Sequence, residues 1–112
     1  MPEYAYVYIL ANAFKKLYIG ITTNLERRVH EHKTNKDPQS HTARYNIHSL
    51  VYFERFTSIP AAITREKQMK GWLRLRKLEL IISTNPDWRH LGADWGKPIT
   101  LYSETPRFKQ SS

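Results

Sequence analysis

Five side chains in this sequence of 112 residues could do chemistry together: Tyr8, Tyr18, Arg28, His32 and Glu66. Glu66 shares a stripe at helical spacing with Ala62, Met69 and Leu73. A carboxylate on such an inward face needs a partner, because an unpaired buried charge is costly. The partner is either a cation of the chain, Arg28 or a nearby lysine, or a bound metal ion. Tyr8 and Tyr18 could face each other across two adjacent strands. That pairing either stabilises a sheet or supplies a base, the latter only where surroundings lower the phenol from its usual pKa of about 10. Arg28 and His32 are four apart, so they neighbour one another on a helix. They offer a phosphate-binding guanidinium and a proton acceptor near neutral pH, or else an ordinary basic surface. His30 and His32, two apart, do not share a helix face and make no two-histidine metal site.

These side chains need elements to hold them. Residues 4–11 alternate, with Tyr4, Tyr6, Tyr8 and Leu10 to one side and Ala5, Val7, Ile9 and Ala11 to the other, which predicts a strand. Residues 17–22 predict a second strand and a hairpin. Gly20 inside it marks a place where another group comes close. Thr23-Asn24-Leu25-Glu26 reads as a capping box, starting a helix from about 24 to 33. Residues 34–46, with Pro38, read as a loop, and 47–56, rich in aromatic and β-branched types, as a third strand. Ser58 and Pro60 open a helix over about 60–71, which Gly71 closes or kinks. A further helical pattern through Leu73, Leu75, Leu78, Leu80, Ile81 and Ile82 stops before Asn85-Pro86. The order β-β-α-β-α-α implies an α+β fold, a small three-stranded antiparallel sheet flanked by helices. One domain is expected over 1–95. Residues 96–112 are expected to form a tail, either a peripheral strand over 99–102 or partly disordered.

Composition narrows the chemistry. Eighteen Lys+Arg against ten Asp+Glu give a formal charge of +8, which favours a polyanionic partner. The absence of cysteine excludes a disulfide framework, a thiol nucleophile and Cys-bound zinc. No run approaches the roughly 20 apolar residues of a membrane span, and no signal peptide is evident. A cytoplasmic protein without a membrane partner is expected.

Taken in order over residues 4–90, the motifs resemble the GIY-YIG nuclease domain. Tyr6-Val7-Tyr8 and Tyr18-Ile19-Gly20 stand where the two namesake motifs fall. Arg28 follows within Leu25-Glu26-Arg27-Arg28, His32 stands where members carry tyrosine or histidine, and Glu66 where the family keeps its metal-binding glutamate. Arg65-Glu66-Lys67-Gln68-Met69-Lys70-Gly71-Trp72 and Asn85-Pro86-Asp87-Trp88 look like a short stand-alone bacterial branch, similar to the N-terminal nuclease domain of the repair excinuclease. Tyr6 replaces the first glycine of the motif, and Ile21 stands where some members carry lysine. Asn85 corresponds to a supporting asparagine, at a longer distance from Glu66 than in the excinuclease branch.

The resemblance implies a phosphodiester hydrolase. Glu66 would hold one Mg²⁺ or Mn²⁺, Arg28 would offset charge on the phosphoryl group, and Tyr8, Tyr18 or His32 would act as the base. Metal proximity and Arg28 would lower the phenol pKa. Lys33, Lys36 and Arg44 in the loop, and Lys67, Lys70, Arg74, Arg76 and Lys77 on the later helices, would grip phosphates without reading bases. The family favours DNA over RNA. Low sequence specificity is expected, with structure-selective cutting or a protein partner for targeting, and the oligomeric state is open. Two other readings compete: a nucleic-acid-binding module that lost catalysis, and an interaction domain in which Trp72, Trp88 and Trp95 form an exposed patch instead of core.

Overall fold

The computed structural model describes residues 4–34 and 36–93. Strands β1 (Ala5–Ala11), β2 (Leu17–Thr22) and β3 (Ser49–Phe56) form one antiparallel sheet in the order β2-β1-β3. Helix α1 (Leu25–Lys33) and a short α2 (His41–Arg44) lie between β2 and β3, and α3 (Ile59–Lys70) and α4 (Arg74–Thr84) follow. The α+β class and element order are those the sequence predicts, with α2 added. The expected loop contains this one helical turn because the Ser40 hydroxyl accepts from the Ala43 N–H and caps it. The predicted strand over 99–102, the tail and Trp95 lie outside the described residues.

The alternation in β1 is what divides the core in two. Ala5, Val7, Ile9 and Ala11 enter one cluster with Ile19, Val51, Ala62, Met69 and Ile81. Tyr8 and Leu10 enter a second with Leu25, Val29, Ile47 and Leu50. Helices α3 and α4 therefore cover one face of the sheet and α1 the other, and β1 is buried on both. Trp72 and Trp88 pack against the first cluster, half-buried, so neither stands free in an exposed patch.

Three local expectations change. The cap of α1 is Asn24, not Thr23: the helix starts one residue later, and the Asn24 side chain accepts from the Arg27 N–H three residues on, at 3.1 Å. Leu73 leaves the inward stripe, because α3 ends at its cap Gly71; Leu73 starts α4 and is 82% exposed. Among the leucines and isoleucines predicted to line α4, only Ile81 is fully buried, while Leu75 and Ile82 point to solvent.

A bulge shapes the outer strand. Ile9 pairs with Tyr52 and Leu10 with Leu50, so Val51 is an extra residue whose carbonyl lacks a strand partner. The Asn85 amide supplies one, donating to Val51 O at 3.1 Å and to Arg89 O at 2.9 Å. Next to it, the Leu91 N–H donates to Leu50 O at 2.8 Å, and His90 Nδ1 accepts from the Leu50 N–H at 3.0 Å. The segment after α4 thus closes this stretch of the β3 edge. No helix among the described residues is long and apolar enough to cross a membrane.

Candidate active site

Tyr8 sits at the centre of the sheet, on the face covered by α1, and pairs across the hairpin with Gly20. A Cβ at position 20 would lie 2.5 Å from the Tyr8 hydroxyl oxygen and 3.0 Å from the Tyr18 ring. Glycine is needed there because the phenol lies directly over the β2 backbone. Tyr18 pairs with Leu10, two residues along, so the phenols meet diagonally with ring centroids 6.2 Å apart.

The period of α1 brings His32 to the same place. Leu25 and Val29 anchor the helix on the sheet, and His32, one turn further, is 6% exposed. Its Nε2 lies 3.2 Å from the Tyr8 hydroxyl, and its Nδ1 lies 2.9 Å from Thr42 Oγ1. Thr42, itself buried, lies 3.2 Å from the Ser40 hydroxyl. One consistent assignment has the phenol donating to Nε2, and Nδ1–H donating to Thr42. Tyr18 also closes on His32, with rings 5.4 Å apart.

Electrostatics set the resting protonation state. Burial pushes the Tyr8 phenol up to about 12, although the neighbouring Arg28 guanidinium pulls the other way. The expected lowering of this phenol is therefore reversed in the protein alone: desolvation outweighs the single cation. Burial and then Arg28 hold His32 down at about 4, so the imidazole is neutral at pH 7. Arg28 donates to Glu31 at 2.9 Å, and Lys36 also reaches Glu31 at 3.3 Å. These partners hold the Glu31 carboxyl below its ordinary range, the Arg28 hydrogen bond first. An open cavity of about 480 Å³ lies against this group, lined by Tyr18, Arg28, His32, Lys36, His41 and Thr42 among others. Glu31 and Asp37 line it as well, so two carboxylates stand beside the Arg28 guanidinium and the His32 imidazole.

Glu66 makes no hydrogen bond or ion pair with that cluster among the described residues. Helix α3 packs against β1 and β2 from the opposite face, and the Glu66 side chain, 14% exposed, pairs with Lys70 at 2.9 Å. Of the cations expected beside it, a lysine is present and Arg28 is not, because Arg28 is bound to Glu31. The described contacts join Tyr8, Tyr18, Arg28 and His32 to one another, and none joins Glu66 to them. Asn85 is likewise separate: both of its amide hydrogens and its carbonyl are spent on the main chain of Val51 and Arg89.

The predicted phosphate contacts divide by place. Lys36 lines the cavity and Lys33 lies 3.4 Å from His90. Arg44 lies over the Tyr45 ring, and Arg74 donates to Lys15 O at the β1–β2 hairpin. Lys67 is exposed on α3, and Lys70 is engaged by Glu66. Arg76 stacks on Trp72, and Lys77 is half-buried on α4. Sequence reasoning missed Glu31, Ser40 and Thr42. The first was visible as the acid three residues after Arg28. The other two sit in a polar segment whose helix is too short for periodicity to reveal.

Residues 4–79 match the GIY-YIG catalytic domain, and the chain belongs to that family, a superfamily of nucleases. Within it, similar proteins carry the name UPF0213. A UPF0213 protein of Haloquadratum walsbyi is 39% identical over 80 residues, covering 71% of this chain and 89% of that one. One from Natronomonas pharaonis is 42% identical over 76 residues, with 68% and 88% covered. The solution NMR structure of a UPF0213 protein from Bacillus halodurans superimposes with a TM-score of 0.51 at 25% identity, over 85% of this chain and 99% of that one.

Proposed function

We propose that this protein is a metal-dependent endonuclease that hydrolyses phosphodiester bonds, in DNA in preference to RNA, with structure-selective or low sequence specificity. The observation that carries this reading is the contact of buried Tyr8 with His32, which lines an open cavity together with Arg28 and Tyr18. Arg28 binds and offsets the charge of the phosphoryl group. Tyr8 takes a proton from the attacking water as it hands its own to His32 Nε2, and Thr42 accepts from Nδ1–H, orienting the imidazole. The resting pKa values oppose this transfer. A bound phosphodiester favours it, because its negative charge stabilises the imidazolium. Tyr18 packs on both partners and holds them in place.

A divalent cation would be held by Glu66. The donor set fits an ion bound mainly by water and phosphate: one carboxylate is present, and no group of three or more His, Asp or Glu is gathered among the described residues. Mg²⁺ or Mn²⁺ there would supply Lewis-acid polarisation of the phosphate. Lys70 would have to yield the carboxylate. That pairing favours a second reading, a binding module in which the lysine occupies the cation's place.

The test is cleavage of supercoiled plasmid and of branched, flapped and single-stranded DNAs by wild type and Glu66→Gln, in Mg²⁺, Mn²⁺ and EDTA. Metal-dependent cutting that disappears in the variant is expected. Binding without cutting by either protein would sink the nuclease reading and support the module.

A further inference from the structure

The tip of the β1–β2 hairpin carries the most exposed large apolar side chain of the described residues, Phe14, at 90%. The turn around it is held firmly. Asn12 Oδ1 accepts from the N–H groups of Phe14 and Lys16, each at 2.9 Å, and the Lys15 N–H donates to Asn12 O at 2.9 Å. Lys15 takes a left-handed conformation, with φ of 63°, which costs a lysine some strain. Its ammonium then lies 5.1 Å from the Trp88 ring centroid, and Arg74 holds its carbonyl at 2.7 Å. On the other side, Lys16 lies 4.5 Å over the Tyr45 ring, and Asn12 donates to Tyr45 O at 2.8 Å. Asn12, Lys15 and Lys16 are thus tied to the body of the protein, and the phenyl ring is the large apolar group left in water.

The surroundings say what would cover it. Lys15, Lys16, Arg44 and Arg74 gather at this end, and no carboxylate among the described residues forms an ion pair with any of them. The tip also connects with the site. Helix α2 touches His32 through Thr42 and the hairpin through its cap Tyr45, three residues and roughly 5 Å of helical rise later. Along β1, Tyr8 and Asn12 are four residues apart, roughly 13 Å. A strand with its phosphodiester against Arg28 and His32 reaches the tip within a few nucleotides.

We propose that Phe14 is a stacking platform for an unpaired base of the nucleic-acid substrate, which selects single-stranded or flapped regions next to the cleavage site. The proposal rests on the nucleic-acid reading above. A base inside a duplex has both faces covered by its neighbours, whereas an unpaired base offers one to an exposed ring, with the lysines and arginines taking the backbone. The hairpin would thus supply the structure preference.

The test measures binding in EDTA, where no cleavage intervenes. Wild type, Phe14→Ala and Phe14→Trp are titrated by fluorescence anisotropy against a labelled oligothymidylate of about a dozen nucleotides and a blunt duplex of equal length. Circular dichroism and gel filtration accompany the titrations. Phe14→Ala should bind the single strand about tenfold more weakly while duplex affinity stays within about twofold, and Phe14→Trp should restore the loss. Equal single-strand affinity in wild type and Phe14→Ala would overturn the proposal and leave the nuclease reading intact. Equal losses on both DNAs would reduce the tip to a general contact and overturn it too. A wild-type dimer that Phe14→Ala makes monomeric would assign the ring to a second copy. If wild type binds neither DNA, the nucleic-acid reading itself falls.

Discussion

The two faces of the sheet are built from the same strands and serve different ends. Toward α3 and α4, β1 presents Ala5, Val7, Ile9 and Ala11, and they enter a cluster of apolar side chains with polar groups at its border, among them Asn85 on the Val51 carbonyl and Glu66 paired with Lys70. Toward α1, one residue further along each time, β1 presents Tyr8 and Leu10, and here buried polar groups appear: the Tyr8 hydroxyl, His32 and Thr42 form a chain within hydrogen-bond reach. The difference shows how a small domain carries hydrogen-bonded polar groups in its core. The dry face fixes the strands, and the wet face spends that rigidity on orienting a phenol and an imidazole. Each polar atom there is matched, and no buried side-chain nitrogen or oxygen among the described residues lacks a partner.

Separate damage to the two faces would sharpen this contrast. Arg28→Ala, on the wet side, should lower the cleavage rate about a hundred- to a thousandfold, the range for losing a group that stabilises developing charge. Its unfolding free energy should change by less than about 1 kcal/mol, because the Arg28 side chain is itself 42% exposed and Glu31 keeps Lys36 as a partner. Rate assays and urea unfolding on one preparation read both. On the dry side, Ile9→Ala should cost about 2–4 kcal/mol in urea unfolding while the folded fraction still cuts. An Ile9→Ala protein that is stable but inactive would break the division of labour.

A pH series tests the wet face by itself. His32 is held at about 4 in the fold, against about 6.5 in an unfolded chain. The unfolded state therefore binds more protons between those values, and the stability His32 contributes is complete above about pH 6.5 and falls away as pH drops toward 4. After allowance for solvent screening the loss should be about 2 kcal/mol at most. His32→Asn should flatten that part of the curve in unfolding titrations. Thr42→Val should have a smaller effect, about 1–2 kcal/mol, from the unpaired Nδ1–H, together with a shifted pH–rate profile that a packing defect alone would not give. The smallest effect expected is from Lys70→Met, which frees Glu66: half-maximal cleavage should need several-fold less Mn²⁺. An unchanged metal requirement would argue that Lys70 does not compete with the cation.

Much of the fold was legible in the sequence because its signals are local. The alternation of residues 4–11, the Ser58-Pro60 helix start and the stop at Asn85-Pro86 all act within a few residues, and the strands and longer helices fall close to where they predict. The grouping of Tyr8, Tyr18, Arg28 and His32 follows from strand pairing and helix period. Other features depend on tertiary contacts. The rise of the Tyr8 pKa comes from burial beneath α1, and Thr42 matters only because the chain turns back after Pro38. Thr23 and Asn24 are both capping types one residue apart, each suited to a helix starting at its own position, a choice that composition does not make. Leu73 left its stripe when Gly71 ended the helix one residue before Trp72.

The seal on β3 reaches back across forty residues of sequence. Leu91 and His90 bind the main chain of Leu50, and Asn85 binds Val51. On a ribosome, which delivers the chain from its N-terminus, the sheet can be assembled long before these residues emerge. Through that interval the bulged edge of β3 is bare, and a bare edge invites pairing with another chain. The segment carrying Asn85, His90 and Leu91 is therefore also a safeguard during synthesis, and shortening the chain before Leu91 should send newly made protein toward aggregates while leaving the order of strands unaltered.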